Sequence, residues 1–326
     1  MKSMKFLGMG YIFGNTFDVW SHKKKIDLDD RDWETKWESP KITKDQIKQL
    51  KSMGFKTIKL PVTWHEHFTK QDDVWIMQEW WIERIKEVID WVLEEDLYCI
   101  INTQHDADFI NQGITDDIVE WFEALWSYLA EYFKDYSDHL LFESMNEVGV
   151  IEWDNHNEYD AVNFLNNLFI QSIRRIDVEH KRTLLVEGHY SDFVTTANYL
   201  EKYNDDNYAI AIHFYSPGNF TLESGSSASF SKKDLIDPLS KVYDIRRIHG
   251  ADVVITECAC IMDGHDQDKV LNWYKILLQF CKNNGIAVDL WANARNNEAI
   301  IDRKNMTFLL NGAENLIKDY NVKINS

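Results

Sequence analysis

A chain of 326 residues with 35 basic against 54 acidic side chains carries a net charge of −19, so nucleic acid would meet repulsion over most of its surface and is excluded as a partner. No run of eighteen apolar residues marks a membrane span, and four cysteines (Cys99, Cys258, Cys260, Cys281) are too few for a disulfide scaffold, so they read as free buried thiols. The length suits one large α/β domain, and 13 tryptophans are more than a core needs, which predicts rings on exposed loops.

Taken in order, short apolar runs alternate with amphipathic stretches from end to end, the pattern of repeated βα units. Strands are predicted at 5–13, 57–61, 98–103, 139–142, 183–186, 209–214, 253–256 and 287–291. Between them, 43–53, 79–95, 117–133, 159–176, 231–248 and 266–283 carry apolar residues at helical spacing. Gly54 and Gly285 follow two of these helices, where a left-handed stop suits glycine. Eight units predict a closed (β/α)8 TIM barrel, with residues 1–326 as a single domain. The open doubly wound sheet lacks its G-x-G-x-x-G fingerprint after the first strand. The segment MKSMKFLGMGYIFGNTFD shows no secretory signal, so the expectation is either a cytoplasmic protein or a chain whose export leader was removed before Met1, and a monomer is the default.

Barrels of this kind do their chemistry at the C-terminal ends of the strands. The residues there are strongly polar: Asn15 and Asp18, Lys59, Gln104 with His105 and Asp106, Asn146 with Glu147, Glu187 with His189, His213 with Tyr215, Glu257, and Trp291 with Asn293. Glu147 in LLFESMNEVG and Glu257 in VVITECAC matter most, because hydrolysis of a sugar–sugar bond requires two carboxylates. A lone strand-end glutamate is more often a cap or ion-pair partner. The His65-Glu66-His67 cluster and Cys258-x-Cys260 lack the ligand spacing of a structural zinc site, so neither metal nor cofactor is expected.

Seven segments in order, GNTFDVW (14–20), GFKTIKLPVTWHEH (54–67), LYCIINTQHD (97–106), LLFESMNE (140–147), AIHFYSP (211–217), VVITE (253–257) and LWAN (290–293), give a chain that resembles glycoside hydrolase family 5, the cellulase-type retaining glycosidases. The resemblance implies Glu147 as acid/base and Glu257 as nucleophile, with Asn146 on the sugar 2-hydroxyl. It implies His213 and Tyr215 lining the site, Tyr215 bonded to the nucleophile, and Trp291 as the floor under the sugar. Trp20 and Trp64 would extend stacking to neighbouring sugars. A retaining mechanism wants the carboxyls about 5–5.5 Å apart, and the charge of Glu257 is expected to raise the pKa of Glu147.

Three departures stand out: Lys59 where the family carries arginine, Gln104 (followed by His105) where it carries histidine, and Trp291-Ala292-Asn293-Ala294 in place of a WDNG-like ending. Lysine offers a point charge rather than a planar fork, so a looser hold on Glu257 is expected. The implied activity is hydrolysis of β-linked glucan-type poly- or oligosaccharides, endo-β-1,4-glucanase-like. The rival is a carbohydrate-binding pseudoenzyme impaired by Lys59 and Gln104.

Overall fold

The structure is a computed structural model that describes residues 3–21, 31–149, 153, 156–225 and 228–321. Eight parallel strands close into a barrel: β1 (Met9–Phe13), β2 (Thr57–Leu60), β3 (Tyr98–Ile101), β4 (Leu140–Glu143), β5 (Leu184–Glu187), β6 (Tyr208–His213), β7 (Asp252–Cys258) and β8 (Ala287–Ala292). Closure is through β1, which pairs with β2 at Gly10↔Thr57 and with β8 at Met9↔Val288. The TIM barrel expected from the sequence is the fold observed. The first strand is shorter than predicted, because Lys5–Leu7 forms a 3-10 turn. Met4 and Leu7 from that segment cluster with Ile100, Leu141, Leu185, Ala209, Ala211, Val254 and Ala287, forming an apolar plug in the lower barrel.

Besides two single turns (Ala107–Ile110 and Gly218–Thr221), the helices among the described residues are α1 (Lys44–Met53), α2 (Glu79–Glu94), α3 (Asp116–Tyr132), α4 (Glu158–Arg174), α5 (Phe193–Tyr199), α6 (Lys232–His249), α7 (Gln267–Asn284) and α8 (Ala313–Asn321). Their starts are written in the sequence: Thr43 with Gln46 and Asn157 with Asp160 form capping boxes, and Thr115 and Asp266 accept first-turn amides. Gly54 and Gly285 stop α1 and α7 at φ +110° and +64°, a conformation that costs glycine no Cβ clash. No helix among the described residues is long and apolar enough to cross a membrane.

Along each strand alternate residues face opposite ways. Ile58, Leu60, Ile101, Phe142, Leu184, Val186, Ile210, Ile212, Val253, Ile255 and Val288 join the main core, with Ile82, Ile85, Ile89, Trp121, Leu125, Trp126, Phe169 and Leu277 of the helices packed into it. Each large apolar side chain so buried is worth roughly 1.5–3 kcal/mol. This layer also takes tryptophans: Trp33, Trp64, Trp81, Trp121, Trp126 and Trp273 are fully buried. The tryptophans therefore divide: these six pack into the core, while Trp20, Trp37, Trp153 and Trp291 are partly exposed in or beside loops.

Candidate active site

The other parity points into the barrel. Two residues above the apolar plug, the inward positions become ionisable: Lys59 of β2 above Thr57, Glu143 of β4 above Leu141, Glu187 of β5 above Leu185, and Asp289 of β8 above Ala287. All four are buried. The Lys59 ammonium lies 2.5 Å from Glu143 and donates to the Thr256 carbonyl at 3.3 Å. Burial pulls its pKa down, yet the charges of Glu143, Glu257 and Glu187 outweigh that and leave it raised. Lys59 thus braces the backbone just before Glu257 from below and makes no bond to that carboxylate, which corrects the expected role.

Glu257 reaches the interior by an irregularity. Strand alternation would send it outward with Val253 and Ile255. The β6–β7 register instead runs Ile212↔Ile255 and then His213↔Glu257, and the β7–β8 register shifts over the same residues. This bulge at Thr256 adds one residue to β7 and turns Glu257 into the mouth of the barrel beside His213. Tyr215 donates to Glu257 Oε1 at 2.7 Å, while Oε2 is buried with no partner among the described residues.

Glu147 arrives from the loop after β4. Its backbone is left-handed, φ +52°, and its N–H donates to Glu187 Oε2 at 3.1 Å and to Ser191 Oγ at 3.3 Å. A non-glycine residue in this region is strained and needs such ties. Its carboxylate meets His213 Nδ1 at 2.7 Å, and the same nitrogen is 3.8 Å from Glu257 Oε1. One oxygen of Glu147, one of Glu257 and a ring nitrogen of His213 all lie within 4.8 Å of one another. Residues 110 positions apart in the chain are thus brought together at the mouth of the barrel.

The electrostatics reverse one expectation. Burial pulls the His213 imidazole down, but Glu257, Glu147 and Glu187 lift it to about 9. Burial also pushes Glu147 up, yet its hydrogen bond to His213 and the charges of His213, Lys59 and His105 hold it below the usual carboxylate value. Glu257 goes the other way: burial and the charge of Glu147 raise it against His213, Lys59 and the Tyr215 bond. The hydrogen bond and charge of His213 thus govern Glu147 more than its carboxylate neighbour does. Glu147 is also 46% exposed, whereas Glu257 is enclosed, so only Glu147 has solvent to support its charge.

The remaining predicted residues divide. Asn146 is buried beside Glu147, its Oδ1 without a partner among the described residues. Trp291 is partly exposed and lies against Gly14: a Cβ there would sit 2.5 Å from the indole ring, so only glycine fits. Glu298, missed by sequence reasoning, accepts hydrogen bonds from Trp291 and, at 2.8 Å, from Asn293 Nδ2, so the altered ending still anchors the ring. Trp20 and His105 stand at the rim with ring centres 6.4 Å apart, and Trp37 lies 5.4 Å from His105. Gln104 is buried, accepting from Asn102 Nδ2 at 2.7 Å. Trp64 is a correction: it is wholly buried, its indole donating to the Asn102 carbonyl at 2.8 Å, and has no face to offer a sugar.

The histidine cluster is dispersed in space: His65 bonds Asp106, Glu66 accepts from the Ser21 amide, and His67 bonds Gln78 within a cage of Trp33, Trp80 and Trp81. Cys258 and Cys260 are buried thiols, Cys260 pushed up to about 12 by burial. Among the described residues two groups near the mouth have the donor set for a cation: Glu147, His213 and Glu257, and below them Glu143, Glu187 and His213. In the lower group the Lys59 ammonium already supplies positive charge to Glu143.

Two carboxylates close together at the C-terminal mouth of a (β/α)8 barrel are the arrangement that glycoside hydrolysis requires. Residues 21–297 match the family model described as Cellulase (glycosyl hydrolase family 5). Endoglucanase A of Clostridium longisporum is 31% identical over 271 residues, covering 78% of this chain and 52% of that protein. Endoglucanase A of Ruminococcus albus is 30% identical over 300 residues, covering 84% of this chain and 81% of that protein. Among solved structures, a broad specificity endoglucanase from Clostridium longisporum superposes with a TM-score of 0.85 at 24% identity, covering 98% of this chain and 99% of that one, a likeness of fold. The chain belongs to glycoside hydrolase family 5. It spans about half the length of the Clostridium longisporum relative it matches by sequence.

Proposed function

We propose that this protein is a retaining glycoside hydrolase that cleaves β-linked glucan chains within the chain, with Glu257 as nucleophile and Glu147 as acid/base. The carrying observation is that an oxygen of Glu147 and an oxygen of Glu257 lie within 4.8 Å of one another, a closeness that suits the roughly 5–5.5 Å carboxyl separation of a retaining pair. Glu257 has one oxygen tied to Tyr215 and the other without a partner, a division that suits attack on an anomeric carbon. As that bond forms, the bond to the leaving sugar oxygen breaks and Glu147 gives it a proton. A water then loses its proton to Glu147 and attacks the same carbon, releasing Glu257.

Supporting groups fit these steps. The free Oδ1 of Asn146 suits a sugar hydroxyl donor, and Trp291 offers a flat apolar face. Beyond Trp291, a cavity of about 500 Å³ lined by Asn15, Trp37, Asn293, Arg295 and Glu298 has room for further sugar units. The endoglucanase relatives support glucan as the substrate class. Lys59, paired with Glu143 and out of contact with Glu257, gives no ground for reading the site as disabled.

The test is reducing-end release and binding on β-1,4-glucan, mixed-linkage glucan, xyloglucan, xylan and mannan, with Glu147→Gln and Glu257→Gln as controls. Release on a β-glucan that both variants abolish is the expected result. Binding without release on every polymer would establish the pseudoenzyme instead.

A further inference from the structure

One buried acid is not used by the steps above. Glu187, at the inner end of β5, is 1% exposed. Its Oε2 accepts the Ser191 hydroxyl at 2.5 Å and the Glu147 amide at 3.1 Å. Its Oε1 has no partner among the described residues and lies 3.9 Å from His213 Nε2, which is likewise buried and unpartnered. The other nitrogen of that ring bonds Glu147 at 2.7 Å. The imidazole therefore has carboxylates on both sides, Glu147 and, at 3.8 Å, Glu257 facing Nδ1 and Glu187 facing Nε2, an arrangement that favours the doubly protonated ring.

We propose that Glu187 is a positioning residue for Glu147: it anchors the left-handed backbone of the acid/base and, through His213, keeps a proton on the His213–Glu147 pair so that the pair still donates at alkaline pH. The proposal rests on the reading of Glu147 as acid/base. The proton count is simple. In the resting site the proton sits on His213 Nδ1; as the leaving oxygen engages, the Nδ1–H bond breaks, an Oε1–H bond forms on Glu147, and that proton passes to the leaving oxygen. When Glu147 later takes a proton from water and returns it to Nδ1, the pair is restored. The acid is the pair, and its loss of one proton sets the basic limit of activity.

The surroundings fit this role. His213 is faced by Glu147 from the loop after β4, by Glu187 from β5 and by Glu257 from β7. Glu187 is faced by Glu143 from β4, His213 from β6, Lys59 from β2 and its own-loop Ser191. Burial and the charge of Glu143 raise Glu187 to about 8 against the other three, so its own charge appears in the range where the imidazole would otherwise lose its proton.

Glu187→Gln keeps an oxygen for Ser191 and the Glu147 amide but cannot carry charge; Glu187→Ala removes both. Two measurements decide: the pH profile of kcat/KM on a soluble β-glucan, and the titration of His213 by imidazole nitrogen NMR in substrate-free protein. In Glu187→Gln the His213 midpoint and the basic limb should fall together by roughly one pH unit, with activity at acidic pH within a few-fold of wild type. Glu187→Ala should in addition lose about tenfold or more in kcat at every pH, because the amide of Glu147 is released. Ser191→Ala, which removes a donor to Glu187 and so delays its ionisation, should move both in the same direction by less and serves if Glu187→Gln does not fold. An unchanged His213 midpoint, or a lowered midpoint with an unmoved basic limb, overturns the proposal. Wild-type protein that hydrolyses no glycan would instead sink the reading of Glu147 as acid/base and the proposal with it, whereas hydrolysis with unmoved NMR midpoints leaves that reading standing and removes only Glu187.

Discussion

The lower and upper halves of the barrel interior are built on the same strands with the same alternation, yet they differ in every physical respect. Below, Leu141, Leu185, Val254 and Ala287 close around Met4 and Leu7, and the layer is apolar. Two residues higher on three of those strands stand Glu143, Glu187 and Asp289, and above them the mouth carries Glu147, His213 and Glu257. The lower layer stabilises the closed barrel; the upper layer spends part of that stability to hold charges in an enclosed site. The comparison predicts that damage to the two halves separates cleanly, below into stability and above into chemistry.

The largest effect is expected at the mouth. Glu257→Gln should lower kcat on a soluble β-glucan by on the order of 10⁴-fold. It should leave the urea midpoint unchanged or slightly higher, since it removes a buried acid whose ionised form is disfavoured. A drop in stability comparable to a core mutation would break the contrast. The counterpart below is Leu141→Ala, expected to cost about 2–5 kcal/mol in urea unfolding with kcat retained in the surviving native fraction.

Between the layers sits the Lys59–Glu143 pair, wholly enclosed. Lys59→Met should cost roughly 3–5 kcal/mol, because it leaves Glu143 buried without its cation, and Lys59→Met with Glu143→Leu should recover most of it. Equal losses in the single and double variants would mean that the ion pair matters only as volume. Loss of kcat in the double variant beyond the stability effect would mark the pair as part of the chemistry above.

Much of this layering was legible in the chain. The eight strands announced themselves as apolar runs, and Lys59 and Glu187 stood out among the polar strand-end residues, whereas Glu143 and Asp289 were not singled out. The bulge at Thr256 was not legible: an extra residue in a strand leaves the apolar spacing of Val253 and Ile255 intact, and period-two reading points Glu257 the wrong way. The hairpin pairing Phe68–Gln71 with Val74–Met77 was also missed. Its turn uses Asp72 and Asp73 at φ +46° and +63°, without the glycine that usually signals such a turn. The seven-residue α5 is too short to show a periodic face. Trp64 was misread because a strand-end position can turn back into the core, and the polarity of Glu147 was misread because the decisive contact, with His213, joins different strands.

Asp289 sharpens the contrast through pH. Both its oxygens are buried without partners among the described residues, and burial lifts it to about 8 against the charge of Lys59. Its carboxyl is thus raised in the folded state, so the folded protein holds a proton that the unfolded chain has released from about pH 4 upward. Stability from this group therefore falls as pH rises from about 4 to about 8 and levels off above that. Asp289→Asn keeps the shape and removes the titration. It should raise stability at pH 7 by about 1–3 kcal/mol and flatten the pH dependence of the urea midpoint over that window. A midpoint that is unchanged at pH 7 and still slopes would show that the group is solvated or paired in solution.

The smallest expected effect separates holding a sugar from transforming it. Trp291 lies at the mouth but touches neither carboxylate among the hydrogen bonds of the site; Glu298 stands beside it and is raised by burial against the interactions with Trp291 and Asn293. Glu298→Ala removes one hydrogen bond from a ring still packed on Gly14, a loss of about 1 kcal/mol, so KM should rise about fivefold while kcat stays within twofold. If kcat falls instead and KM holds, the ring acts in the transition state more than in the bound ground state. Trp291 would then belong with Glu147 and Glu257 in the chemistry of the mouth, and the line between platform and catalyst would have to be drawn one residue further out.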